Sequence, residues 1–547
     1  MRRAQILLFV LLILGIAFPS SMVVLLWAES TESALRDIRE GWRQELVYQQ
    51  ELLSPIAMCY DSSENLYVYD YGTRVLFMIN QDGQLKEIAD TGEIALRALA
   101  WQPNRERLVG FDILSMYEVA GNRLNKVGNF GRSILVSTVT IDQSDDSIYA
   151  GHEDRGRPIV HLDAEGRFIE TVNESTQGCF QLAYDEKGKT LYFSETFTGS
   201  ISALDMKNNM LHRLIGDLAV PGTPEPIALC LDDDRRLWFY TAFEGLHRYE
   251  NGRLRKIIDP MMGAGPMIWS NINSNWIAIQ YAGSNLVSYD YRRDEQIEIT
   301  PSLNATDIAE DAEDRVYFPR TEFVYTLAGD GPIPFSEPLP DICEGVELDR
   351  EGRVYAALGD GRIYRIAKNG EAKLWLPGLG FFSSMVYDAV HDDMIVVGTK
   401  RDAATVYRVP VSDPKKARGI ATVREALVTN TLPRVTVDAE GVIYLLEWER
   451  NEIMRVNETT GRVETLYRDI LPSRDITVPS FQYSRIEDAF VVGTLEYYHL
   501  ISRVDGARSI LAMNSHGADN FGIYEKPGGT LVFIHSGQIF RLRRKKV

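Results

Sequence analysis

A segment of about 40 residues recurs along this chain, and the recurrence leaves few folds open. Each copy is an apolar run ending in Asp, a short polar turn, an apolar–Tyr run, and two further runs around a Gly turn. Cys59-Tyr60-Asp61 with Leu66-Tyr67-Val68 opens the series. Thr140-Ile141-Asp142 with Ile148-Tyr149 and Ala183-Tyr184-Asp185 with Leu191-Tyr192-Phe193 continue it. Cys230-Leu231-Asp232, Asp311, Glu347-Leu348-Asp349 and Val437-Asp438 each precede a similar run, ending in Trp238, Tyr317, Tyr355 and Tyr444. Weaker copies fill the doubled gaps, at 98–127, 267–299, 384–409, 481–504 and 521–541.

Four short strands per copy, with polar turns between them, is the pattern of a β-propeller blade. One blade is too small to bury both faces, so it stacks on its neighbours around an axis. About twelve four-stranded blades exceed the usual four to eight of one ring. The expected fold is therefore all-β: two six-bladed rings in tandem, 56–300 and 301–547, dividing near Thr300-Pro301. A seven-plus-five division and a single open ring are the alternatives. The recurrent Asp is expected to cap the first turn by accepting backbone N–H groups.

The N-terminus carries a different signal. Arg2 and Arg3 precede an apolar run from Ile6 to Ala28, including Leu7, Leu11, Leu14 and Trp27. As a helix rising about 1.5 Å per residue, this run matches a hydrocarbon core roughly 30 Å thick. Residues 1–28 are expected to be a signal anchor or transmembrane helix, with the arginines cytoplasmic and the rings on the periplasmic or extracellular side. A cleaved secretory signal competes, although Leu26-Trp27-Ala28 is a poor cleavage site. Residues 29–55 are predicted as an amphipathic helical linker. Leu35, Ile38, Trp42, Leu46 and Leu53 recur at helical spacing, and Pro55 ends the run.

Composition narrows the function. With 58 Lys and Arg against 77 Asp and Glu, the net charge is −19, which repels phosphate backbones and argues against nucleic acid. The C-terminal run Arg541 to Lys546 is the exception, a basic tail that suits anionic lipid. The four Cys occupy blade positions too far apart to bridge, so free buried thiols are expected. No nucleophile elbow, phosphate loop or paired-His zinc motif is present.

Individual blades resemble known repeats. Leu191 to Met206 resembles NHL and YWTD repeats, and Leu237 to Ile257 the two-component regulator propeller repeat. Glu344-Gly345-Val346-Glu347-Leu348-Asp349, with Gly352-Arg353-Val354-Tyr355 and Gly361-Arg362-Ile363-Tyr364-Arg365-Ile366, is similar to the opening blade of the gluconolactonase and strictosidine synthase-like superfamily. Ala518-Asp519-Asn520 resembles its Pro-Asp-Asn segment. In the metal-dependent lactonases of that superfamily a Glu, two Asn and an Asp hold a central cation, usually calcium. The resemblance implies Glu344 and Asp519 as metal ligands. The intermediate positions depart from it, since Leu432-Pro433-Arg434-Val435 and Val478-Pro479-Ser480-Phe481 stand where Asn is wanted. An Arg near the axis opposes a cation. His516, close to Asp519, is the histidine nearest this chemistry.

Three functions follow as expectations. The first is a membrane-anchored scaffold outside the cytoplasm that binds a protein partner or small ligand, as an accessory subunit of an envelope complex. The second is a calcium-dependent lactonase or esterase, and the third a sensory module. No catalytic residue is assigned.

Overall fold

The computed structural model describes residues 35, 36, 38–130, 134–216, 227–241, 245–258, 264–270, 275–280, 285–290, 295–300, 303, 305, 307–328, 331–400, 403–424, 433–447, 450–471, 480–494, 497–514, 520–526, 528–535 and 537–545. Among these the strands form twelve antiparallel sheets, eleven of four strands and one of five. The predicted anchor, with Arg2, Arg3, Leu7, Leu11, Leu14 and Trp27, lies outside the described residues, as do Asp519 and His516. Among the described residues no helix is long and apolar enough to cross a membrane, and the one helical turn is Pro414–Lys416.

The chain divides into two compact units, and the described part of the first runs from Glu51 to 300. It holds six sheets, whose inner strands are Pro55–Tyr60, Ala98–Gln102, Thr138–Asp142, Cys179–Asp185, Ile227–Leu231 and Ala264–Ser270. Each inner strand touches the next, and the sixth touches the first, so the ring is closed. Its core lies between blades. Phe111 and Val109 of the second blade pack on Ile148 and Val160 of the third. Closure is apolar as well, with Met58, Leu66 and Val68 packed against Ile277, Ile279 and Leu286.

The second unit takes 303–547 together with the described residues up to Gln50. Its inner strands are Ala309–Glu310, Cys343–Leu348, Phe381–Asp388, Arg434–Val437, Phe481–Ser484 and Asn520–Glu525, again joined in a closed cycle of six. Five blades are built on four consecutive strands, the fifth of them extended by Leu35–Arg36 at its outer edge. The last supplies only Asn520–Glu525, Leu531–His535 and Gln538–Arg544, and its outer strand is Trp42–Gln49.

That strand stands where the sequence predicts a helix. Trp42, 2% exposed, packs on Phe533, Phe540 and Leu542, and donates its indole N–H to Glu487 Oε1 at 3.2 Å. The basic tail is drawn into the same blade. Arg541 pairs with Glu45 at 2.8 Å and Glu310 at 2.9 Å, Arg543 with Glu45 at 3.1 Å, and Arg544 with Glu487. These arginines are strand residues with carboxylate partners, which leaves little of the predicted lipid-binding tail.

The recurrent Asp caps the blade turn as expected. Asp349 Oδ1 accepts the N–H groups of Glu351 and Arg353 at 2.9 and 3.0 Å, while Oδ2 accepts the Tyr355 hydroxyl at 3.0 Å. Asp311 with Tyr317, Asp438 with Tyr444 and Asp232 with the Trp238 indole repeat this pairing. The Asp-to-Tyr spacing therefore records a hydrogen bond between the turn and the second strand. The turn also needs one residue in the left-handed region. Gly352 supplies it at φ +70°, whereas Glu64 and Arg235 adopt it at 58° and 64° despite their Cβ atoms.

Candidate functional site

An inner strand has no partner on its axial side, so its backbone groups must find other acceptors and donors. In the second propeller four consecutive blades each supply them to the next. Asp307 Oδ2 accepts the Val346 N–H at 3.1 Å, and Glu347 Oε2 accepts the Tyr387 N–H at 3.3 Å. Ser383 Oγ donates to the Pro433 carbonyl at 2.7 Å, and Ser384 Oγ accepts the Val435 N–H at 3.3 Å. Thr436 Oγ1 accepts the Tyr483 N–H at 2.9 Å.

Within this stapled hub lies a cavity of about 40 Å³, with Asp307, Glu347 and Arg434 among its lining side chains. That is room for one or two water molecules. Burial pushes the carboxyls up, Asp307 to about 6, Glu344 to about 7 and Glu347 to about 8. The Arg434 charge pulls against burial at Asp307 and Glu344. Burial likewise opposes the guanidinium, which both carboxylates favour. Its Nη1 donates to the Ser383 carbonyl at 3.2 Å.

Of the two ligands implied by the lactonase resemblance, Glu344 therefore sits in the electrostatic field of an arginine, and Asp519 lies outside the described residues. Among the described residues no group of three or more His, Cys, Asp and Glu could hold a metal ion. The described residues around this cavity do not by themselves make up the ligand set the resemblance implies. Ser384, Arg434 and Ser480 face the cavity from three consecutive blades, and the arginine brings a positive charge of its own.

The first propeller is open where the second is closed. Its channel encloses about 670 Å³ and is lined from all six inner strands. One side chain does the stapling for three blades. Gln181 Oε1 accepts the N–H groups of Leu229 and Met267, each at 3.1 Å, and its Nε2 donates to the Met267 carbonyl at 2.6 Å.

Just before each blade turn stands one residue of a collar: Tyr60, Trp101, Ile141, Tyr184, Leu231 and Trp269. All six are half-buried and line the channel. At the same step in the second propeller Glu310, Leu348, Val437 and Tyr483 are buried. Neighbours hold the aromatic rings in place. The Trp101 indole donates to Ser62 Oγ at 2.8 Å, Trp269 stacks on Trp238 at 5.9 Å, and Tyr184 lies 4.8 Å from Tyr149. Among the charged lining residues, Asp61, Glu64, Glu153, Asp185, Glu186 and Asp232 outnumber Arg97, Lys187 and Arg235.

Sequence reading singled out Glu344 and Arg434 but missed Asp307, Glu347, Gln181 and the collar. Tyr60-Asp61 and Tyr184-Asp185 were visible only as marks of the repeat. Their shared place on the channel wall emerges once all six blades are aligned on the turn. The four Cys form no disulfide. Cys179, Cys230 and Cys343 are buried, and burial pushes all four thiols up, which suits core residues and not nucleophiles.

No curated protein matches the sequence. Among solved structures, the chain is similar to the extracellular domain of a putative hybrid two-component system from B. thetaiotaomicron. Identity is 10%, over 91% of this chain and 81% of that one, with a TM-score of 0.35. It is also similar to the GH74 enzyme of Niastella koreensis, at 10% identity over 92% and 100% of the two chains and a TM-score of 0.42. A catalytically inactive virginiamycin B lyase from Staphylococcus aureus matches at 12% identity over 72% and 97%, with a TM-score of 0.26. Residues 344–366 match the family described as strictosidine synthase-like, N-terminal. These residues form the first three strands of the second blade of the second propeller, so the likeness to the strictosidine synthase-like β-propellers is carried by one blade.

Proposed function

We propose that this chain is a recognition module and not an enzyme, and that the channel of its first propeller receives an organic ligand. The observation that carries the reading is the contrast between the hubs, about 670 Å³ open in one ring and about 40 Å³ in the other. The larger volume suits a small molecule or a short peptide, since ligand sites run from about 300 to 1,000 Å³. Half-buried aromatic rings around the wall offer flat faces for stacking. The carboxylate excess in the lining favours an uncharged or cationic ligand over an anion. In this reading residues 6–28 tether the module to a membrane, both rings stand outside the cytoplasm, and the ligand or partner belongs to the envelope.

A ligand that binds only the folded state raises the melting temperature, by linkage worth about 2.7 kcal/mol at a hundred times Kd. Neutral oligosaccharides, polyamines and short peptides are the probes, with nucleotides as anionic controls. Binding is expected to disappear in Trp101→Ala and Trp269→Ala and to persist in Glu344→Gln, which alters only the other hub. Binding that ignores both tryptophans, or that is confined to anions, refutes the reading.

A further inference from the structure

We infer, resting on the recognition reading above, that the ligand of the first propeller's channel carries an ammonium group. Its seat is the turn of the first blade, where Asp61 and Glu64 stand among the rings of Trp269, Tyr60 and Trp101.

The charges of the channel wall are unevenly placed. The fourth and fifth blades bring Asp185, Glu186 and Asp232 together with Lys187 and Arg235. Asp185 is ion-paired with Arg235, and Asp232 with Arg236 at 2.6 Å, so acid and base largely cancel on that side. Arg97 and Glu153, one of each sign, lie beside the starts of the inner strands, at the opposite end from the collar. The first blade differs, because its charged lining residues are Asp61 and Glu64, both acidic. Asp61 takes its hydrogen bonds from uncharged donors. These are the N–H groups of Ser63 and Asn65 at 2.8 and 2.9 Å, the Asn65 amide at 2.8 Å and the Tyr67 hydroxyl at 3.4 Å. Glu64 Oε2 accepts from Ser270 Oγ of the sixth blade at 3.2 Å. Both acids are half-buried, where weaker screening makes their pull on a nearby cation stronger than in bulk water.

The same turn is held between its two neighbours. Ser270 reaches it from the sixth blade, and the Trp101 indole of the second blade donates to Ser62 Oγ at 2.8 Å. The collar residues on these three consecutive blades are Trp269, Tyr60 and Trp101, all aromatic. The other three are Ile141, Tyr184 and Leu231, with a single ring among them. Aromatic faces and acidic groups thus occupy one arc of the wall. A ring face attracts a cation through its quadrupole, and a quaternary or alkyl ammonium is the group that such an arc suits best. A sugar would use the rings and gain nothing from the carboxylates. Small hard cations hold their water too firmly to gain from the rings.

The test uses the full chain in a non-ionic detergent whose head group is neither a sugar nor a choline. Choline and 3,3-dimethyl-1-butanol share a shape and differ in charge, so calorimetric titration of the pair isolates the charge. Choline is expected to bind about ten-fold more tightly than the alcohol, and to weaken several-fold as salt rises while the alcohol does not. Trp269→Leu should weaken choline by about five- to thirty-fold. Glu64→Gln keeps an acceptor for Ser270, and Asp61→Asn keeps the turn, as Asn80 does by accepting the Asp82 and Gln84 N–H groups at 3.1 and 2.9 Å. Together these two are expected to abolish the preference for choline over the alcohol. Equal affinity for the two probes in the wild type overturns the inference, as does a preference that survives both acid substitutions. Neutral oligosaccharides that bind through Trp101 and Trp269 while choline does not would overturn it too, and would leave the recognition reading standing. Failure of choline, alcohol, oligosaccharides and peptides alike would overturn both. Should a variant fail to fold, the choline-to-alcohol ratio of the wild type and its salt dependence still decide the matter.

Discussion

Glu347 offers the sharpest physical test of the second hub. Only 6% exposed, it gives Oε1 to the Leu348 N–H at 2.8 Å and Oε2 to the Tyr387 N–H at 3.3 Å. Burial, aided by the nearby Asp307 and Asp349 charges, outweighs those two bonds and holds the carboxyl at about 8 against an ordinary 4.5. Tyr524 faces it from the sixth blade. The folded chain therefore keeps this proton at neutral pH, while the unfolded chain releases it. A group whose folded value is raised contributes stability that is complete below its unfolded value and is lost as pH rises through the folded one. Between pH 5 and 7.5 the folded state holds one more proton, so the slope is negative, about 1.4 kcal/mol per pH unit. The loss from this residue alone approaches about 3 kcal/mol between pH 5 and pH 7. Glu347→Gln cannot titrate. It trades one accepted N–H bond for an N–H facing an N–H, a fixed cost of about 1–2 kcal/mol at every pH. Urea unfolding at pH 5, 6, 7 and 7.5 should give a pH slope in the variant flatter than wild type by about 1.4 kcal/mol per unit. Parallel slopes would mean that Glu347 is ionised in the folded hub, and the reasoning would be refuted.

The other predictions concern single features of the fold. Gln181→Ala strands the N–H groups of Leu229 and Met267 and is expected to lower stability by about 2–4 kcal/mol, measured by urea unfolding. Asp349→Ala removes the acceptor for two turn N–H groups and the Tyr355 hydroxyl, at about 3 kcal/mol. Asp349→Asn, which retains an acceptor, should lose much less in the same assay. Trp42→Ala empties the space against Phe533 and Phe540 and should cost about 3–5 kcal/mol, with faster hydrogen exchange in Gln538–Arg544 than elsewhere in the ring.

How far the fold could be read from sequence depended on whether a residue's role repeats. Asp349 and Tyr355 recur as a pair because the turn and the second strand share a hydrogen bond in blade after blade, so the periodicity exposed them. Trp42–Gln49 has no repeat to reveal it. A β-bulge between Leu46 and Tyr48 breaks the alternation of the strand, and the spacing of Leu35, Ile38, Trp42 and Leu46 then imitates a helix. The hub residues were hidden for another reason. Whether Glu347, Asp307 or Gln181 meets the axis depends on the register of its strand against the neighbouring blade, which no local pattern encodes. Arg434 was visible only as a departure from an expected Asn. The collar fell between these cases, periodic in place but not in residue type.

The borrowed outer strand of the last blade ties the start of synthesis to its finish. Gln49 and Gln538 lie side by side yet are 489 residues apart in sequence. At about 5–20 residues per second, the first must wait roughly 25 to 100 seconds for the second to leave the ribosome. The first propeller, whose six blades are each made from consecutive strands, lies wholly within that interval and meets no such delay. The early strand, meanwhile, carries an unpaired edge and an uncovered tryptophan, the features a chaperone captures. Premature termination after the first ring is complete but before Gln538 would leave one finished ring and one ring that cannot lock, which marks the nascent chain itself as the stage most vulnerable to quality control.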